Sequence, residues 1–175
     1  VHWSEAKAVY RFFDNEHVSS EKIYEPHVQQ TFSRLKDRQT VLLIQDTSFF
    51  LYSHYPKTLG LGKVGKAVGK RKDFENQGLI MHTAFAMDPS GLPLGILSQK
   101  IFARSEESLK MSQLPPNVRR KLPIEYKESS KWIEPIEWIS IMTPDTFKGR
   151  LIHGADREAD FFEFFWKANE EGVHV

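Results

Sequence analysis

Three features of the sequence predict an α/β protein built on a mixed sheet flanked by helices. Two amphipathic stretches near the start give way at Thr40 to a short continuous apolar run. Two strand-like runs then flank an Asp-Pro-Ser-Gly turn, and from about residue 128 helical and strand patterns alternate. Hairpin strands imply antiparallel pairing in one half of the sheet, and the alternation implies parallel pairing in the other.

Residues 3–36 are helical in pattern. Ala6, Val9, Tyr10 and Phe13 recur at three- and four-residue spacing, Asp14-Asn15 breaks the run, and Ser19-Ser20 offers a cap for a second helix through Val28, Phe32 and Leu35. Pro26 predicts a kink or a late helix start. Residues 1–38 thus read as an amino-terminal helical segment and 39–175 as the core. The run Thr40-Val41-Leu42-Leu43-Ile44-Gln45 has the look of a strand buried on both faces, ending at Asp46-Thr47-Ser48; residues 49–52 either extend it or pair back. Residues 55–78 carry five glycines and read as loop, 79–87 and 92–102 as a hairpin, and 104–127, with Pro115, Pro116 and Pro123, as a polar surface excursion. Trp132, Ile133, Ile136 and Ile139 mark an amphipathic helix over 128–141 that tolerates Pro135. A strand over 150–155 closes at Asp156. A helix over 158–168 follows, with Phe161, Phe162, Phe164 and Phe165 as its apolar face, and a last strand begins at Val173.

At 175 residues the chain is of single-domain size, and 40% hydrophobic residues with 13 Phe, 5 Tyr and 4 Trp are enough for a sizeable core. The absence of cysteine excludes a disulfide scaffold, a zinc ribbon and a thiol nucleophile. A mean hydropathy of −0.46, with no apolar run near 18 residues and no signal-peptide pattern, predicts a soluble cytoplasmic protein. The net charge of +1 indicates no partner by itself, so the distribution of charge carries the argument.

Asp46 and Asp156 each close an apolar strand. If those strands are parallel neighbours, the carboxylates converge across 110 positions of sequence, and a hard divalent cation, Mg²⁺ or Mn²⁺, relieves their repulsion. The bland alternatives are an N-cap at Asp156 and an Asx-turn at Asp46. Between Tyr55 and Lys72 stand Lys57, Lys63, Lys66, Lys70, Arg71 and Lys72 with no acid, a segment suited either to tracking a phosphate backbone or to simple solvation. Gly60-x-Gly62-x-x-Gly65 matches a dinucleotide fingerprint formally, yet it lies some 14 residues past the strand and no apolar helix follows it. The Asp156-x-Glu158-x-Asp160 spacing is no calcium loop, because Phe161 stands where that loop requires glycine. Glu158 and Asp160 suit a first helical turn, and Arg157 either orients Asp156 or meets a phosphate. His82 and His153, on apolar strands, read as satisfied interior histidines.

The segments Ile44-Gln45-Asp46-Thr47-Ser48, Thr58-Leu59-Gly60-Leu61-Gly62, Gly78-Leu79 with His82, Gly91-Leu92-Pro93-Leu94-Gly95, Glu128-Ser129 with Lys131-Trp132, and Gly154-Ala155-Asp156-Arg157-Glu158-Ala159-Asp160 occur in an order that resembles DDE transposases of bacterial insertion sequences. The branch it most resembles is the insertion-sequence-four family of cut-and-paste elements, over nearly the whole chain from about Ala8. The resemblance implies an RNase H-like core in which three carboxylates bind two Mg²⁺ ions, with Asp46 as the first acid and Asp156 as the second. It also implies cleavage and strand transfer of double-stranded DNA by a homodimer assembled on transposon ends. The third acid of the family, a glutamate within a Tyr, Arg, Glu and Lys signature, has no counterpart in these 175 residues and is expected beyond Val175. Without it, an inactive DNA-binding remnant is the alternative expectation.

Overall fold

The computed structural model describes residues 2–55, 57–65 and 76–175. Two helices lead, α1 (Trp3–Phe13) and α2 (Ser20–Leu35), and the Ser19 hydroxyl caps α2 by accepting from the Lys22 amide at 3.3 Å. Pro26 lies inside α2, so it does not delay the helix start. The strands are β1 (Thr40–Leu51), β2 (Gly62–Lys63), β3 (Gln77–Met87), β4 (Pro93–Phe102) and β5 (Arg150–Gly154). Between β4 and β5 come two short helices, α3 (Glu106–Ser112) and α4 (Pro116–Arg119), a 3-10 turn at Ile124–Tyr126, and α5 (Ser130–Met142). A second 3-10 turn, Arg157–Ala159, and α6 (Phe162–Glu170) complete the chain.

The sheet is mixed and five-stranded, flanked by helices, as the sequence predicts. β4, β3 and β1 form an antiparallel meander, β5 lies on the far side of β1 and runs parallel to it, and β2 pairs β3 at the edge. A meander whose first strand is joined by a parallel fourth is the RNase H-like arrangement. The membership of the five differs from expectation in two places. Gly62–Lys63 forms a short strand inside the stretch read as loop, and the strand expected from Val173 is reduced to one parallel bridge between His174 and Ile152.

The hairpin turn follows its residues. Asp88, Pro89 and Gly91 occupy the first, second and fourth turn positions, the Gly91 amide donates to the Asp88 carbonyl at 2.8 Å, and Gly91 takes φ +91°. The Asp88 carboxylate accepts from the Ser90 amide and from Arg38 at 3.0 Å, which ties the turn to the end of α2.

One face of the sheet is covered. Val41, Leu43, Ala84, Ala86, Leu94 and Leu97 pack against Val28 and Leu35 of α2 and Ile139 of α5. Along β1 the residues alternate between this covered face and an open one, on which Ile44 and Asp46 are exposed, so the strand is not buried on both faces as its apolar run suggested. A second cluster joins Trp132 and Ile136 of α5 to Ala159, Phe164 and Ala168. The four phenylalanines do not act as one face: Phe164 is buried, whereas Phe162 and Phe165 are exposed, because the chain turns at Arg157–Ala159 and the helix starts only at Phe162.

Where α2 crosses β4 the backbones come close. Arg34 donates to the Leu94 carbonyl at 2.9 Å, and the Ile96 amide donates to His27 Nε2 at 3.0 Å. Gly95 lies between them at φ +134°, and a Cβ there would stand 2.3 Å from Thr31 Oγ1. Gly95→Ala is therefore expected to cost more than about 2 kcal/mol, combining overpacking with backbone strain. Urea unfolding checks this, and a change below about 0.5 kcal/mol, the scatter of neutral surface substitutions, would contradict it.

Candidate metal and phosphate site

The parallel pairing of β1 and β5 runs from Thr40↔Arg150 to Ile44↔Gly154, so Asp46 and Asp156 each lie two residues beyond the last pair. The two strands are parallel neighbours, as the convergence of the acids requires. β1 itself does not end at Asp46–Ser48; of the two readings left open for residues 49–52, extension and pairing back, the structure takes extension. It continues to Leu51 because residues 46–51 keep their ladder with β3, down to Leu51↔Gly78. The Asx-turn at Asp46 is excluded by that extended backbone.

By the two-residue period Asp46 belongs to the open face with Leu42 and Ile44, and both aspartates are exposed. Asp156 also caps the turn after β5, its Oδ1 accepting from the Glu158 amide at 2.8 Å. The cap uses one carboxylate oxygen, so capping and a ligand role at the other are compatible.

Beneath Asp46, on the covered face, its neighbours Gln45 and Thr47 join a buried polar chain. Thr47 Oγ1 lies 2.9 Å from His82 Nδ1, His82 Nε2 lies 3.1 Å from Gln45 Oε1, and Gln45 Nε2 lies 3.0 Å from His153 Nδ1. With the Gln45 amide in this orientation, His82 carries its proton on Nε2, and His153 accepts at Nδ1. Burial, assisted by Lys131, pushes the His82 pKa down to about 4 even though Asp46, Glu134 and Asp156 pull the other way. Burial alone lowers that of His153 to about 4. Both rings are neutral at pH 7. His82 is fully hydrogen-bonded, but His153 Nε2 has no partner among the described residues, so the sequence reading of two satisfied histidines holds for one and a half of them. The rings of His82 and Trp132 meet in a T-shaped contact, 4.5 Å between ring centres and at 75°.

Lys131 is the residue that sequence reasoning overlooked. It is 5% exposed, and its Nζ lies 3.3 Å from Glu158 Oε2 and 3.7 Å from Glu128 Oε1. Glu128 in turn receives Arg104 on both oxygens. The signal was a lysine on the apolar face of α5 directly before Trp132, three positions after a glutamate. Of the cations singled out in the sequence, Lys57, Lys63 and Arg157 are exposed, and the Lys63 carbonyl accepts from Arg104 at 3.2 Å. Lys66, Lys70, Arg71 and Lys72 lie outside the described residues.

Among the described residues no three His, Cys, Asp or Glu side chains are grouped to hold one metal ion. Two exposed carboxylates just past the end of the β1–β5 pairing still fit Mg²⁺, which is bound through one or two carboxylates and completes its octahedron with water and substrate phosphate.

No protein-family profile matches the chain, and no curated protein matches it. Among solved structures it is similar to one described as "Crystal structure of a pre-cleavage Mos1 transpososome", with 14% identity over 91% of this chain and 44% of that chain and a TM-score of 0.34. The chain thus spans less than half the length of the protein in that structure.

Proposed function

We propose that the chain is the larger part of the catalytic core of a DNA transposase of the cut-and-paste, insertion-sequence-four kind, working on double-stranded DNA in the cytoplasm as a homodimer. The observation that carries this reading is the parallel β1–β5 pairing, which leaves Asp46 and Asp156 level with each other just past its end. The carboxyl ends of parallel strands, here the end of β5 beside β1, are where α/β sheets collect their ligands.

In this reading Asp46 and Asp156 hold Mg²⁺, with Mn²⁺ as a substitute, and a third carboxylate completes a two-ion set. The bound ions supply Lewis acidity, activating water and neutralising charge on the phosphodiester. The protein's own part is placement. The Thr47–His82–Gln45–His153 chain ties β1 to β3 and β5, fixing the backbone that carries Asp46. Lys131 draws Glu158 toward α5, which settles the turn that Asp156 caps. Arg157, Lys57 and Lys63, together with Lys66, Lys70, Arg71 and Lys72, contact backbone phosphate.

Mn²⁺ titration followed by paramagnetic broadening of amide signals tests this. Broadening is expected to centre on Gln45, Asp46, Thr47 and residues 155–158, and to disappear in Asp46→Asn and in Asp156→Asn. Broadening unchanged in both variants would overturn the assignment. A DNA-binding protein without catalysis is the second reading, favoured by the exposed cations Lys57 and Lys63 flanking the glycine loop. It predicts salt-dependent binding to duplex DNA, indifferent to Mn²⁺.

A further inference from the structure

The excursion between β4 and α5 forms a cavity. α3, α4 and the turn Ile124–Tyr126 border a half-open cavity of about 540 Å³, within the size range of small-ligand sites. Leu109, Met111, Leu122 and Tyr126 supply apolar and aromatic wall, and Arg119 and Arg120 stand beside them. Glu128 is the one acid among its lining residues, against Arg104, Arg119, Arg120 and Lys127. That acid is already engaged, since both its oxygens accept from Arg104 and Lys131 lies 3.7 Å away. Arg119 Nη1 donates to the Ser112 carbonyl at 3.0 Å, which fixes the guanidinium across α3 and α4 while using one of its five donors.

An apolar slot with an aromatic wall and two neighbouring guanidinium groups suits a flat ring that carries a phosphate. Arginine binds phosphate through its planar fork and stacks on rings, whereas a bare anion would gain nothing from the apolar wall. We propose that this cavity binds a nucleoside 5′-phosphate, its base against Tyr126 and Met111 and its phosphate at Arg119 and Arg120. A neighbouring cavity of about 340 Å³ shares Arg104, Met111, Tyr126 and Lys127 and continues to Lys100 and Lys131. That second cavity is also lined by Glu107, Glu125 and Glu128, and its cations Lys100, Arg104, Lys127 and Lys131 each meet a carboxylate, so the phosphate end of the site stays at Arg119 and Arg120. The same chemistry is offered by the 5′ end of a DNA strand and by a free nucleotide, and their relative affinities separate the two sources.

Calorimetry and methyl NMR on the whole chain test the assignment, with thymidine 5′-monophosphate, a 5′-phosphorylated single-stranded tetranucleotide and inorganic phosphate as probes. The nucleotide is expected to shift the methyl signals of Met111, Leu109 and Leu122 and to bind at least ten-fold tighter than phosphate. Arg120→Ala is expected to weaken it about ten-fold or more, the worth of one charged hydrogen bond. Leu109→Trp, which fills the slot, is expected to abolish it. Tighter binding of the tetranucleotide assigns a strand end, and equal binding assigns a free nucleotide. Nucleotide affinity no better than that of phosphate, or unchanged in both variants, would overturn the proposal. Asp46→Asn leaves these affinities intact while removing Mn²⁺ broadening, so this site and the metal site stand or fall separately.

Discussion

Between pH 6.5 and about 4 the chain is expected to lose stability at up to about 2.7 kcal/mol per pH unit, twice the value for a single proton. The cause is the buried pair His82 and His153. Unfolded, each imidazole takes up a proton near its ordinary value of 6.5; folded, each does so only at about 4. In that window the unfolded state binds up to two more protons than the native state, so acid favours unfolding. The stabilisation is complete above about 6.5 and exhausted below about 4, at roughly 3 kcal/mol for each ring. For His82 the charges in play are Lys131, which opposes protonation, and Asp46, Glu134 and Asp156, which favour it; burial outweighs all three. The carboxylates add their own loss lower on the scale. Asp88, held down chiefly by the Ser90 amide, and Glu128, where Arg104 and Lys131 prevail over burial, both ionise below the usual carboxylate range. Urea midpoints measured from pH 8 to 4 check the slope, and His153→Leu should halve it whatever that substitution does to the midpoint at pH 7. Equal midpoints at pH 7 and 4.5 would show that the rings are not buried neutral.

The elements legible in the sequence are those whose signal is local. The apolar run from Thr40, the capping serine at 19 and the Asp-Pro-Ser-Gly turn each specify a structure over a few residues, and each is found where expected. The parallel pairing of β1 with β5 was inferable from the alternation of helix and strand, and with it the levelling of Asp46 and Asp156. What escaped depends on partners far away in sequence. Residues 46–48 could not be told from a turn, nor could extension be told from pairing back over residues 49–51, because their extended form is imposed by the ladder with β3. Gln45 looked like the polar end of a strand; only the topology, which brings in a histidine 37 residues away and another 108 away, makes it the centre of a buried chain. Lys131 is buried because Glu128 and Glu158 receive it, and no window along α5 contains Glu158. The cavity beside Arg119 and Arg120 is the clearest case. Two adjacent arginines carry little information until α3 and the turn at Ile124–Tyr126 bring an apolar wall beside them.

Trp132→Ala is expected to cost about 3–5 kcal/mol, the range for removing a large buried aromatic. Trp132 is 1% exposed and is the largest fully buried side chain among the described residues, with contacts on two sides. On one side its ring meets that of His82 on β3. On the other it anchors the cluster of Ile136, Ala159, Phe164 and Ala168, which holds α6 and the turn after Asp156 against α5. Lys131 Nζ lies 5.7 Å from the same ring, a cation–π contact that places its charge next to Glu158. Removing the indole therefore weakens the lodging of the Asp156 turn more than it weakens the β1–β3 ladder, which rests on the separate core under α2. Native-state hydrogen exchange should register that difference. The Phe164 and Val173 amides, which bond to Phe161 and Ala168 within this unit, are expected to lose protection well beyond the Leu43 and Ala84 amides of the central strands. Trp132→Phe, which keeps a ring against His82 and leaves a smaller void, should cost less than half as much. Uniform loss of protection across β1, β3 and α6 would mean that the two cores open together, and the turn carrying Asp156 would then have no stability of its own to lose.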